Sequence, residues 1–237
     1  DAFISQKTLF KTRSVVGFIH ALVAWGFSLY LFVNVIDVLY GLIPDFKFFP
    51  NHFIGDVYRI FVDIFTVLVL AGVIYFLIRR FLLKDKRLQT NAPVMISDSA
   101  LKGMRFDSLL VGSFIIIHVG SRFLSASFEI AGSHSDWSQP AANLIAKMWT
   151  GMEHDTIIVM EHITWWLALG LILLFLPYFP YSKHAHLFMG PLNIMATPER
   201  KSMAVLEKID FEDDDIEQFG AAKVEHLSQN QLLDGYA

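Results

Sequence analysis

The chain has no cysteine among its 237 residues. Cysteine thiolates build disulfides, iron–sulfur sites and thiolate zinc sites, so these residues hold none of the three. Charged residues are also scarce, at 18% of the chain, whereas 54% of the chain is apolar. This balance argues against an ordinary soluble domain and indicates a membrane protein, for which we expect a lipid bilayer and no nucleic acid as partner.

Four runs carry few charges and are long enough to cross roughly 30 Å of hydrocarbon. They lack the alternation of a transmembrane β-barrel, so we expect each to be a helix that satisfies its own backbone. The predicted fold class is an all-α integral membrane protein with a four-helix bundle. The predicted spans are Val15–Tyr40, Val57–Ile78, Phe106–Ile130 and Thr156–Tyr178.

Lysine and arginine concentrate in the loop between the second and third spans, which predicts that this loop and both termini are cytoplasmic. The loop between the first two spans holds Lys47, and the loop between the last two holds Lys147. The basic residues of the inner loop are Arg79, Arg80, Lys84, Lys86, Arg87, Lys102 and Arg105.

Composition divides the chain into three parts. Residues 1–14 form a polar lead-in, residues 15–188 form the membrane domain, and residues 189–237 form a charged cytoplasmic segment. We expect the first span to pair with the second and the third with the fourth. A short interfacial helix is expected around Ala141–Trp149 in the second outer loop.

Histidines lie deep within otherwise apolar spans, at His20, His118 and His162, while His184 and His186 stand where the last span ends. An ionisable side chain inside a membrane is costly and therefore indicates a functional site. Neutral imidazoles on facing helices can bind a haem iron from both sides. A lone membrane histidine can also simply hydrogen-bond a neighbouring helix.

Depth estimates pair these histidines at two levels. With a rise of about 1.5 Å per residue, His20 and one of His184 and His186 lie near the inner face. His118 and His162 both lie about 20 Å from that face. Two levels of paired imidazoles are what an electron path across a bilayer requires, so we predict haem-iron ligands at His20 with one of His184 and His186, and at His118 with His162.

Arg122 follows His118 by four residues and shares its helical face. A buried guanidinium needs a carboxylate partner. Two alternatives remain open: a haem propionate, or an ion pair with Glu129, Glu161 or Asp63.

Several segments resemble the nitrate reductase gamma-like cytochrome b module, in the version joined to heterodisulfide-reductase-type iron–sulfur proteins. These proteins include oxidoreductases that pass electrons from electron-transfer flavoprotein to menaquinone. The resemblance implies that His186, in the PYSKxxH motif, and His20 bind the cytoplasm-side haem b. The segments are RSVVGFIHALVAWGF, GDVYRIFVDIFTVLVLAGVIYFLIRRF, the Trp165–Trp166 pair and FPYSKHAHLFMGPLNIM.

The chain departs from this pattern at the second haem. The positions of the two ligands are occupied by Tyr30 and Ala168. Either the protein keeps one haem b, or the second haem has moved to His118 and His162. The ending SQNQLLDGYA is similar to the approach to a cysteine-rich domain, so iron–sulfur clusters are expected in a continuation of the chain or in a partner.

These observations predict a membrane cytochrome b that relays electrons between cytoplasmic iron–sulfur centres and a quinone such as menaquinone. It would be part of a larger redox complex in the inner membrane of a prokaryote. The quinone site would lie near Lys183 and His184, or at an outer cluster. The outer cluster is Glu153, His154, Asp155 and Glu161.

Two other functions fit the same residues. One is a haem-free scaffold or assembly subunit in which the histidines only bridge helices. The other is a proton pathway through His118, Arg122 and His162.

Overall fold

The structure is a computed structural model that describes residues 13–43, 46, 53–85, 97–196, 223–227 and 229. This part of the chain is helical and contains no strand. Its contacts divide the chain into two units, Asp1–Met189 and Gly190–Ala237.

Four helices are long and apolar enough to cross a membrane, which confirms the predicted spans. The last of the four continues through a 3₁₀ turn to Tyr181. The bounds are α1 Ser14–Leu42, α2 Phe53–Leu77 with a π-helical turn Ile78–Leu82, α3 Asp98–Gly132 and α5 His154–Tyr178.

The remaining helices are short. Helix α4, Pro140–Ala146, continues as a 3₁₀ turn to Trp149, which confirms the predicted short helix, while its place at the membrane interface stays a prediction. Helix α6 spans His186–Ala196, and a 3₁₀ turn at Val224–His226 lies in the second unit.

Helix packing follows the predicted pairs, α1 with α2 and α3 with α5, and α2 also packs against α3. Small residues allow the close approaches, as membrane helices require. A Cβ added at Gly112 would lie 2.6 Å from a methyl of Leu77, and one at Gly26 would overlap Val69. Helices α1 and α5 touch much less, which leaves a cleft between them.

Large apolar side chains point outward from the spans, including Leu174 at 76% exposure and Trp166 at 58%. Inside the bundle, a compact cluster joins Tyr30, Val69 and Val119 from three different helices. An apolar exterior of this kind is suited to contact with lipid.

The inner end of α5 turns sharply before α6 begins. Pro177 and Pro180 limit the helix because proline has no backbone N–H to donate. The hydroxyl of Ser182 then accepts the backbone N–H of His184 at 3.2 Å, starting a 3₁₀ turn. This turn sets the positions of His184 and His186.

Asp63 fastens the outer loop to α2. This carboxylate is buried inside the span, where it accepts the backbone N–H groups of Ala141 at 2.7 Å and Ala142 at 3.0 Å. A carboxylate at a helix N-terminus satisfies donors that have no partner within the helix. Arg59 adds an ion pair with Asp136 at 3.1 Å.

Substituting Asp63→Ala is expected to lower the free energy of unfolding by about 2 kcal/mol, because two buried N–H groups of α4 lose their acceptor. Unfolding in detergent micelles followed by circular dichroism measures this change. The matched control is Glu153→Ala, an exposed acid just before α5 whose side chain makes no capping bond. Equal stability of the two variants would contradict this role for Asp63.

Candidate functional site

The structure brings the inner histidines His20 and His186 into one neighbourhood. The ring of His20 lies edge-on to Phe76, with centroids 6.3 Å apart, and interacts electrostatically with His186. Nδ1 of His186 bonds the carbonyl of Lys183. A carbonyl can only accept, so Nδ1 carries the proton and Nε2 keeps the lone pair that a metal ligand requires.

His184 lies between these groups and the bundle interior. Its ring is 5.1 Å from Phe27 and 5.7 Å from Phe175 by centroid. Burial, aided by nearby His186, lowers the pKa of His184 to about 4, so this imidazole is neutral at pH 7. Its Nδ1 is buried and has no hydrogen-bond partner among the described residues.

Lys183 places positive charge at the same end. It pairs with Asp107 at 3.6 Å and donates to the hydroxyl of Ser108, while Tyr178 donates to Asp107 at 2.7 Å. Burial and the nearby charge of Arg80 lower the pKa of Lys183. These bonds tie the inner end of α5 to α3.

His118 is buried in the middle of the bundle, at 4% exposure. Its Nδ1 donates to the carbonyl of Ala168 at 2.9 Å, so Nε2 carries the lone pair. Within the part of the chain that the structure describes, this buried Nε2 has no hydrogen-bond partner. The ring of Tyr30 lies edge-on at 6.3 Å. His118 therefore lies beside Tyr30 and Ala168, the two positions where the resemblance expected the second pair of haem ligands.

Aromatic rings connect His118 to the inner end. His118 stacks on Phe114 at 5.6 Å, and Phe114 stacks on Phe175 at 4.2 Å. Phe175 in turn meets the ring of His184.

His162 is exposed on α5, and its Nδ1 donates to the carbonyl of Ile158 in the same helix at 2.8 Å. It precedes Ala168 by six residues, about 9 Å along the axis and on a different face. The structure therefore does not bring His162 together with His118. The predicted haem on this pair stays a prediction, and so does the proton relay through both.

Arg122 pairs with Asp37 of α1, through Nε to Oδ2 at 2.7 Å and Nη2 to Oδ1 at 3.3 Å. The sequence-based expectation of Glu129, Glu161 or Asp63 as the protein partner is wrong. Asp63 is occupied by the amides of α4. The sequence analysis missed Asp37, although an isolated acid in the first span is a signal that could have found this pair.

Within the described residues, two cavities adjoin the buried polar groups of α3. An apolar cleft of about 400 Å³ separates α1 from α5, with His118 in its floor on α3. A polar cavity of about 680 Å³ contains Asp37, Arg122, Glu129 and Asp136. Because His118 and Arg122 are one turn apart on α3, the two cavities are neighbours.

The inner end holds the kinds of group that a bis-imidazole haem would need. His20 interacts electrostatically with the exposed His186, whose Nδ1 bond leaves Nε2 for a metal, and Lys183 and Arg80 offer positive charge. Among the described residues there is no cluster of three histidine or acidic side chains able to hold another metal ion.

The four residues predicted as an outer quinone site are mostly exposed and line neither cavity. Glu153, His154 and Asp155 are exposed, and Glu161 is half-buried. None of the four lines either cavity.

The structure thus defines a helical protein with four helices able to cross a membrane, and comparisons with known proteins relate it to oxidoreductases. It is 34% identical to the probable iron-sulfur-binding oxidoreductase FadF of Bacillus subtilis, over 98% of this chain and 31% of the relative. It is 24% identical to the EtfAB:quinone oxidoreductase of Syntrophomonas wolfei, over 94% of this chain and 30% of that relative.

The chain spans less than a third of the length of these curated relatives. Their names support the iron–sulfur oxidoreductase part of the resemblance, and the nitrate reductase gamma-like cytochrome b part stays a prediction. No protein-family model matches the chain, and no solved structure matches it.

Asp37→Ala is expected to lower the free energy of unfolding by about 3 kcal/mol, because it leaves the charge of Arg122 without its counter-ion inside the span. The double variant Asp37→Ala, Arg122→Met should recover most of that loss, since it removes both charges. The measurement is thermal unfolding in detergent of Asp37→Ala, of Arg122→Met and of the double variant. Strictly additive losses would show that the pair is not coupled.

Proposed function

We propose that this chain is the membrane electron-transfer module of an iron–sulfur oxidoreductase. It relays electrons between iron–sulfur centres and a membrane quinone through a haem b held by His20 and His186. The observation that carries this proposal is the electrostatic interaction between these two imidazoles at one end of the bundle, in a chain similar over nearly all of its length to named oxidoreductases.

The two relatives supply the two ends of the proposed path. One is named for iron–sulfur binding and the other for electron transfer to quinone. This chain has no cysteine, so the clusters belong to a partner or to another part of the protein. The basic loop predicts that the end with His20 and His186 faces the cytoplasm of a prokaryote, where such clusters would dock.

Haem b would be held by the imidazoles of His20 and His186 and would supply reversible one-electron transfer. The residues of the chain provide the rest. The carbonyl of Lys183 orients His186 through Nδ1, and the cations Lys183 and Arg80 would offer positive charge to the propionate groups.

This proposal predicts that His20→Ala and His186→Ala each remove the inner haem. The purified protein should show sharp haem b bands in a reduced-minus-oxidised spectrum, with haem content measured chemically per chain. His154→Ala, an exposed histidine at the start of α5, is the matched control and should keep full content.

A spectrum without haem bands in the intact protein would favour the haem-free scaffold. Full haem content in both His20→Ala and His186→Ala would place the cofactor elsewhere. Circular dichroism of each variant shows whether the bundle has stayed folded.

A further inference from the structure

The cleft between α1 and α5 opens on the lipid-facing side of the bundle. Leu31 and Val35 of α1 and Leu173 and Leu176 of α5 form its rim, and each is about half-exposed. The walls are almost entirely aliphatic and aromatic. A flat, apolar molecule dissolved in the membrane can therefore enter from the side without crossing water.

One buried polar atom in this apolar cleft lacks a hydrogen-bond partner among the described residues. Nε2 of His118 is buried, carries a lone pair and accepts no hydrogen bond from the described residues. The hydroxyl of Tyr30, which also lines the cleft, already has a partner. Thr66 donates to the carbonyl of Val62 at 2.6 Å, so its own oxygen accepts the hydrogen bond from Tyr30. A buried acceptor left unpaired costs about 1–3 kcal/mol, so the cleft favours a ligand that brings a donor.

A second haem suits this cleft poorly. Bis-imidazole ligation needs two nitrogen ligands on opposite sides of the iron. Among the residues that line the cleft, His118 is the single histidine, with no lysine or methionine beside it. The lining also offers no cation for propionate groups.

A quinol has the matching chemistry. It is a flat ring with an apolar tail and two hydroxyl groups on opposite edges. One hydroxyl can donate to Nε2 of His118, and Asn34, which lines the same cleft one turn beyond Tyr30 on α1, offers an amide to the other. An acyl chain of a lipid would fill the cleft but would bring no donor.

We infer that the cleft between α1 and α5 binds the quinol form of a membrane quinone, with one hydroxyl donating to Nε2 of His118. This inference rests on the proposed function, because it locates the quinone end of the electron path. It moves the quinone site away from both positions that the sequence suggested.

The test uses the fully reduced protein in lipid nanodiscs under anaerobic conditions, so that no electron transfer accompanies binding. Calorimetric titration compares menadiol, which has two hydroxyl donors, with menadiol dimethyl ether, which has the same ring and none. We expect the protein to bind menadiol about tenfold more tightly, the value of one hydrogen bond.

Two variants locate the binding. His118→Phe keeps the aromatic stack on Phe114 but removes the acceptor, and it should abolish the preference for menadiol over the ether. Leu173→Trp should fill the cleft and abolish binding of both compounds. Leu174→Trp is the matched control, because this neighbouring residue is 76% exposed and lies outside the cleft.

Unchanged binding in Leu173→Trp would overturn the inference, as would equal affinity of the intact protein for menadiol and its ether. The second result would point to an acyl chain as the occupant. Haem content of each variant is measured in parallel. Loss of haem in His118→Phe would make His118 a haem ligand and would also overturn the inference. An intact protein that contains no haem but still prefers menadiol would contradict the proposed haem and leave the quinol site supported.

Discussion

The chemistry of this bundle depends on a single kind of hydrogen bond, from Nδ1 of an imidazole to a backbone carbonyl. His118 makes it to Ala168 and His186 makes it to Lys183. The carbonyl can only accept, so each bond decides which nitrogen holds the proton and fixes the direction in which the other points. Both rings thereby present Nε2 as an acceptor or ligand. What differs is the surroundings: His186 has a second histidine nearby, and His118 has an apolar cleft.

Charges inside the spans pair with protein groups at two places. Asp37 neutralises Arg122 one turn from His118, and Asp63 accepts hydrogen bonds from the amides of α4. Low-dielectric surroundings demand such partners. Two imidazole nitrogens, Nε2 of His118 and Nδ1 of His184, are instead buried without a hydrogen-bond partner among the described residues.

Composition and periodicity were sufficient for the four spans, because lipid admits few ways to satisfy a backbone. They also predicted the short helix between the last two spans, whereas the choice of His186 as the partner of His20 came from the resemblance and stays a prediction. Depth along a helix could be read from residue counts, but the direction around the axis could not. His118 and His162 therefore matched in depth, yet they lie on helix faces that do not meet. The Asp37–Arg122 pair was missed because it joins helices distant in sequence, and the cleft because it arises from the loose contact between α1 and α5.

The stack of Phe114 on Phe175 joins the floor of the cleft to the ring of His184 through rings in direct contact. Electron tunnelling decays faster through empty space than through closely packed matter. A quinol at His118 and an iron centre at the end of the bundle that carries His184 would thus be separated by a filled aromatic medium instead of a void. The same phenyl groups that exclude water from the bundle would then also shorten the effective barrier between its two redox partners.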